Sequence, residues 1–68
     1  MSPKTKEQYE EIRQKSAEAI LQAALELFGH QGYHSTTISQ IAKAAGVSKG
    51  LMYNYFPNRM ALLKAVLV

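Results

Sequence analysis

The stretch from Thr37 to Phe56, TISQIAKAAGVSKGLMYNYF, limits what this 68-residue chain can fold into more than any other. It reads as two short helices joined by a tight turn. Thr37 stands at the N-cap of the first, and Gln40, three residues on, is spaced to reach back to the Thr37 main-chain N–H in a capping box. Ile38, Ile41, Ala42 and Ala45 recur at helical spacing and give that helix one apolar face. Gly46 follows where a helix ends in a left-handed residue, a conformation glycine takes without steric cost. Val47 returns an apolar anchor, Ser48 offers a second N-cap, and Met52 and Phe56 lie four apart on the second helix. Ala42 is small where the helices must approach, and Ile41, Val47 and Met52 are apolar where a three-way core is expected. An ordinary αα-hairpin tolerates the same residues. Caps, glycine, small residue and core positions all agree, however, and that agreement favours a helix-turn-helix, whose second helix enters a DNA major groove.

Upstream, Tyr9, Ile12, Ser16, Ile20, Ala23 and Leu27 step by three and four, which predicts one long helix from about Lys6 to Phe28. Its start is open to competition: Ser2-Pro3 is one candidate, and Thr5 with Gln8 is another possible capping box, with Glu7, Glu10 and Glu11 favourable to the helix dipole. The apolar stripe is thin before about Arg13. Those residues are expected either as a projecting arm, with Lys4 and Lys6 on nearby phosphates, or as a disordered tail. From Ala19 to Phe28 the helix is apolar nearly all round, so it should be gripped from several sides. Gly29 and Gly32 are read as its stop. His30 and His34 lie four apart, but Gly32 interrupts the helix between them and no carboxylate or cysteine is near to complete a metal site.

After the helix-turn-helix, Pro57 ends the second helix and Asn58 caps a last one. Arg59 falls in that helix's first turn, where the dipole disfavours a cation, and a DNA phosphate is the natural reason for it to be there. The remainder, MALLKAVLV, has Lys64 as its one polar residue. So apolar a helix expects more protein around it, which predicts that the sequence is a fragment of a longer chain.

A chain of this length forms one small domain and buries about 60% of its unfolded surface, so its core is marginal. Without cysteine there is neither a disulfide framework nor a thiolate metal site, a usage compatible with a reducing cytoplasm. The polar start MSPKTKEQYEEIRQK predicts no secretory signal, and no apolar run approaches the ~20 residues that cross a bilayer. Charge is sorted along the chain. All five acidic residues precede residue 27, whereas Lys43, Lys49, Arg59 and Lys64 follow it with no carboxylate. The net charge of +3 is therefore an N-terminal −1 and a C-terminal +4. A half without acids that holds the helix-turn-helix suits a polyanionic partner, although a merely solvated basic surface would look the same.

The sequence GYHSTTISQIAKAAGVSKGLMYNYFPNRMALLKAV also resembles the DNA-binding region of the tetracycline-repressor (TetR) family of bacterial transcription regulators. The resemblance rests on Ile20 to Phe28, Gly32-Tyr33, Thr36-Thr37, Ile41-Ala42, Ala45 to Ser48 and Tyr53 to Phe56, and runs from about Ile12 to the end. It implies an all-α, three-helix homeodomain-like bundle with a helix-turn-helix and the start of a fourth helix. With the thin early stripe of the first helix, the expected division is an N-terminal helical arm or extension over residues 1–13 and a DNA-binding domain over 14–68. The expected partner is a double-stranded DNA operator, bound by a dimer. The dimer contacts and a small-molecule effector site would belong to a C-terminal domain beyond these residues. Three positions depart from the family pattern: Leu51 where Thr is common, Arg59 for the usual Lys, and Met60 for a frequent Glu.

Base readers are expected at the start and exposed face of the second helix of the motif: Ser48, Lys49, Gly50, Leu51 and Asn54. Lys49 can donate to guanine, Asn54 can pair with adenine, Leu51 can pack on a thymine methyl, and Gly50 lets the backbone approach the groove. Thr36, Thr37 and Ser39 fit phosphate contacts at a helix start. The resemblance adds Tyr53, Tyr55 and the cation at Arg59 to that set, while Phe56 is expected in the core and the Tyr53 ring is divided between core and phosphate. Rival classes fit less well. A helical protein-interaction module leaves the acid-free half unexplained, and a membrane-surface peptide needs its bases along one long amphipathic face. An enzyme is disfavoured by the lack of any acid after Glu26, of cysteine, and of a glycine-rich phosphate loop. No catalytic residue, metal or cofactor is called for, and a cytoplasmic location is expected.

Overall fold

The computed structural model describes residues 5–67, in four helices: α1 (Lys6–Gln31), α2 (Ile38–Ala45), α3 (Lys49–Tyr55) and α4 (Arg59–Val66). The expectations placed on Ser2-Pro3, Lys4 and Val68 lie outside the described residues. Each helix begins on a side-chain cap, because its first N–H groups have no partner within the helix. Thr5 with Gln8 and Thr37 with Gln40 form full capping boxes, Ser48 Oγ accepts from the Leu51 N–H, and Asn58 Oδ1 accepts from the Ala61 N–H.

α1 runs three residues past the expected stop at Phe28. Gly29 lies inside it, and Gly32 alone ends it, with φ 86° and its N–H on the Phe28 carbonyl. Glycine lowers helix propensity by only about 1 kcal/mol, which the packing of α1 outweighs at residue 29. At residue 32 a positive φ makes glycine the cheap choice. Gly46 does the same for α2, at φ 73° and ψ 28°, as the sequence predicts.

The core is assembled from Ile20, Ala23 and Ala24 of α1, Ile41 and Ala42 of α2, Met52 of α3 and Leu62 of α4. Val47 and Phe56 pack against it from the two turns. α1 packs on α2 and α4, and α2 on α3. The grip on α1 is one-sided, not all-round, since Leu25 stays 52% exposed. With ~1.5 Å of rise per residue, 26 residues make α1 about 39 Å long. It overhangs the bundle. The principal extents are 44 × 23 × 18 Å, and the radius of gyration is 13.0 Å, against roughly 11 Å for a compact chain of this length. No helix among the described residues is long and apolar enough to cross a membrane.

Candidate nucleic-acid interface

α3 gives the core little of itself. Met52 is its one fully buried residue, Tyr55 is half-buried, and Lys49, Gly50, Leu51, Tyr53 and Asn54 all face outward. The five expected base readers are thus brought together at the start and outer face of one short helix. Ser48 Oγ is held at 3.0 Å by the Leu51 N–H, which leaves its own O–H free to donate outward. A Cβ built on Gly50 would meet nothing within 4 Å, so the backbone there borders open space. Leu51 and Asn54 line an open cleft of about 590 Å³ whose opposite wall is Tyr9, Ile12 and Arg13 of α1.

The expected phosphate residues divide. Thr37 and Ser39 are exposed at the start of α2. Thr37 Oγ1 caps the Gln40 N–H at 3.1 Å, and Gln40 Oε1 takes the Thr37 N–H at 3.0 Å. The main-chain N–H groups of Ile38 and Ser39 are the two of that first turn that the capping box does not use. Tyr53 is 47% exposed, and Tyr55 lies half-buried with Arg13 over its ring, 5.4 Å from the centroid.

Thr36 requires a correction. It is fully buried, with its hydroxyl donating to the Gly32 carbonyl at 2.7 Å, so it has no surface to offer a phosphate. Its neighbour in sequence, Thr37, faces out because the chain turns between them to start α2. Arg59 also has a reason for its position other than the expected phosphate. Its Nη1 donates to the carbonyls of Tyr33 at 2.9 Å and Thr36 at 2.8 Å, with His34 further off at 3.4 Å. Its guanidinium lies 4.8 Å from the Tyr33 ring centroid.

Sequence reasoning missed a second loop holder. Gln31 Nε2 donates to Gln40 Oε1 at 2.7 Å and to the Ser35 carbonyl at 3.0 Å, joining the end of α1 to the α2 capping box. Read as a loop residue after an early helix stop, Gln31 had no partner to suggest it. With Arg59 it fixes the turn from which α2 starts. Among the described residues no group of three or more His, Cys, Asp or Glu could hold a metal. The one ion pair there, Lys15–Glu11 at 3.2 Å, is exposed.

A short outward helix set by a glycine turn against a capped partner helix, over a core shared by all four helices, defines a helix-turn-helix DNA-binding domain. A sequence profile described as "Bacterial regulatory proteins, tetR family" matches residues 20–66. HTH-type transcriptional regulator AcrR of Shigella flexneri is 42% identical over 66 residues, 97% of this chain and 29% of the relative. SrpR of Pseudomonas putida is 43% identical over 67 residues, 98% of this chain and 30% of the relative. RutR of Escherichia coli K12 is 53% identical over 49 residues, 72% of this chain and 23% of the relative. No solved structure matches. The chain belongs to the tetR family of bacterial regulatory proteins and is its N-terminal, sequence-specific DNA-binding domain. It spans less than a third of the length of these curated relatives.

Proposed function

We propose that the domain is the operator-reading head of a dimeric repressor that acts on bacterial DNA in the cytoplasm. In this reading α3 lies in the major groove, where Ser48, Lys49, Leu51 and Asn54 meet base edges and Gly50 admits a close backbone approach. Thr37, Ser39, Tyr53 and Tyr55 hold the flanking phosphates. Arg59 serves the interface through the loop it clasps. The domain proper spans 14–68, and the described residues before it, 5–13, serve as a helical arm or extension. A C-terminal domain of the longer protein would supply the dimer contacts and bind a small effector.

One observation carries this reading: the exposed residues of α3 include Lys49, Leu51 and Asn54, three side chains suited to three different base edges, in a half of the chain that contains no carboxylate. The test is selection of bound duplexes from a random pool, followed by titration at two salt concentrations. An enriched motif, and binding that weakens steeply with salt through counterion release, are the expected results. A chain that enriches no sequence and ignores salt would be a helical protein-interaction module instead.

A further inference from the structure

One stripe of α1 changes character along its length. Lys6, Tyr9, Arg13, Ser16, Ile20, Ala24 and Leu27 step by three and four, so they lie on one side of the helix. Ile20 and Ala24 are wholly buried and Ser16 is half-buried, whereas Arg13, Tyr9 and Lys6 are exposed. The side that is core further along emerges from the bundle bearing two cations and an aromatic ring. It emerges next to α3, because Tyr9, Ile12 and Arg13 line the same cleft as Leu51 and Asn54. At ~100° per residue, Glu7, Glu11 and Glu18 fall on the far side of α1, and Glu10 borders the stripe. Lys6 and Arg13 thus share the stripe, while Lys15 lies on the far side with its partner Glu11.

We propose that Arg13, seated on the Tyr55 ring beside the reading face of α3, is a further phosphate-contacting residue of the DNA interface. The inference rests on the assignment of α3 to the major groove. A helix with its side chains is about 10–12 Å across and the groove about 12 Å wide, so the flanks of α3 face the sugar-phosphate backbones. Tyr55 is on such a flank. Its ring holds the Arg13 guanidinium by cation–π attraction, which orients the group before any phosphate arrives. Among the described residues Arg13 takes part in no ion pair, while Lys15, nearly opposite on the same helix, pairs with Glu11.

The experiment is fluorescence anisotropy of the full chain on a labelled random duplex of about two helical turns, over about 50 to 200 mM salt. Arg13→Ala and Arg13→Gln are each expected to weaken binding severalfold at the lowest salt. Each should also reduce the slope of log K against log salt by about 0.9, the release from one phosphate. Arg13→Lys should restore most of that slope. Lys15→Ala, which removes the same charge from the far side, should leave the slope alone. Wild-type slope in both neutral Arg13 variants would overturn the proposal, and so would an equal loss in Lys15→Ala, which would mark a general charge effect. If the unaltered chain shows no salt-dependent binding, the DNA reading itself fails. If it binds and only the Arg13 result is absent, that reading stands without this residue. Circular dichroism of each variant shows that it folds, and Arg13→Gln, which keeps most of the aliphatic stem over Tyr55, carries the test if the alanine variant does not.

Discussion

Two arginines of the same formal charge do different work here, and the difference lies in what surrounds them. Arg59 is half-buried with Nη1 on carbonyls of the α1–α2 loop, so its loss leaves those acceptors without their charged donor. Hydrogen bonds to a charged group contribute about 1.5–3 kcal/mol each at most. A domain of this size loses roughly 4–8 °C of melting temperature per kcal/mol. Arg59→Ala is therefore expected to lower the melting temperature by roughly 10 °C or more while leaving the salt slope of DNA binding nearly unchanged. Calorimetry beside the salt titration checks both, and a stable variant with a flatter slope would return Arg59 to the phosphate-contacting set. Asn54 has the opposite profile, exposed and with no part in the core. Asn54→Ala should cost about 1–3 kcal/mol on a selected operator and relax the preference at one base pair, while binding to random duplex stays as it was. Equal weakening on both would make Asn54 a positioning residue. The sequence could place Arg59 in a first turn and recognise that its charge needed a reason. It could not supply the loop carbonyls, because they come from 23 to 26 residues away. For the same reason Thr36 and Thr37 looked equivalent as letters, and only the turn between them buries one and exposes the other.

The elements were legible where the rule that forms them is local. Capping boxes at Thr5 and Thr37, the caps at Ser48 and Asn58, and the left-handed Gly46 each depend on residues within four positions, and all are present. The end of α1 was misread because Gly29 carries the same helix-ending signal as Gly32. Which glycine acts is decided by tertiary contacts that continue the helix to Gln31 and its bond to Gln40. The turn between α2 and α3 invites a direct test. Gly46 lies at φ 73°, and a β-branched residue there is strained whatever space surrounds it. Gly46→Val is expected to destabilise the domain by about 1–3 kcal/mol. Gly50→Ala, at a position with no neighbour for the added methyl, should not destabilise it. Thermal melts of the two variants side by side make the comparison, and equal melting temperatures would mean that the turn does not need its left-handed residue.

At the scale of the whole molecule, the bundle is small and its apolar surface is incompletely covered. Among the described residues seven buried apolar residues form the core, and of the four exposed large hydrophobics nearest the chain ends Met60 at 48% and Leu67 at 75% belong to the last helix and its cap, and Ile12 at 44% to α1. Tyr9, at 58%, belongs to the overhang of α1. The matched relatives are more than three times as long as this chain. A single helix-turn-helix head makes few base contacts, and specific recognition is ordinarily reached by pairing two heads on half-sites about one helical turn, or a multiple of it, apart. These 68 residues alone are therefore expected to fold marginally, to bind a selected half-site weakly, and to respond to no small-molecule inducer. Joining two copies through a dimerising partner placed after α4 makes the second binding event intramolecular. Affinity for a paired operator should then rise by about 10²-fold or more, provided the linker lets both heads reach their half-sites. Analytical ultracentrifugation of the unjoined chain, together with DNA titrations of both forms on operators of varied half-site spacing, measures this directly. An unjoined chain that is already a stable dimer with nanomolar operator affinity would show that the contacts needed for pairing lie within these four helices.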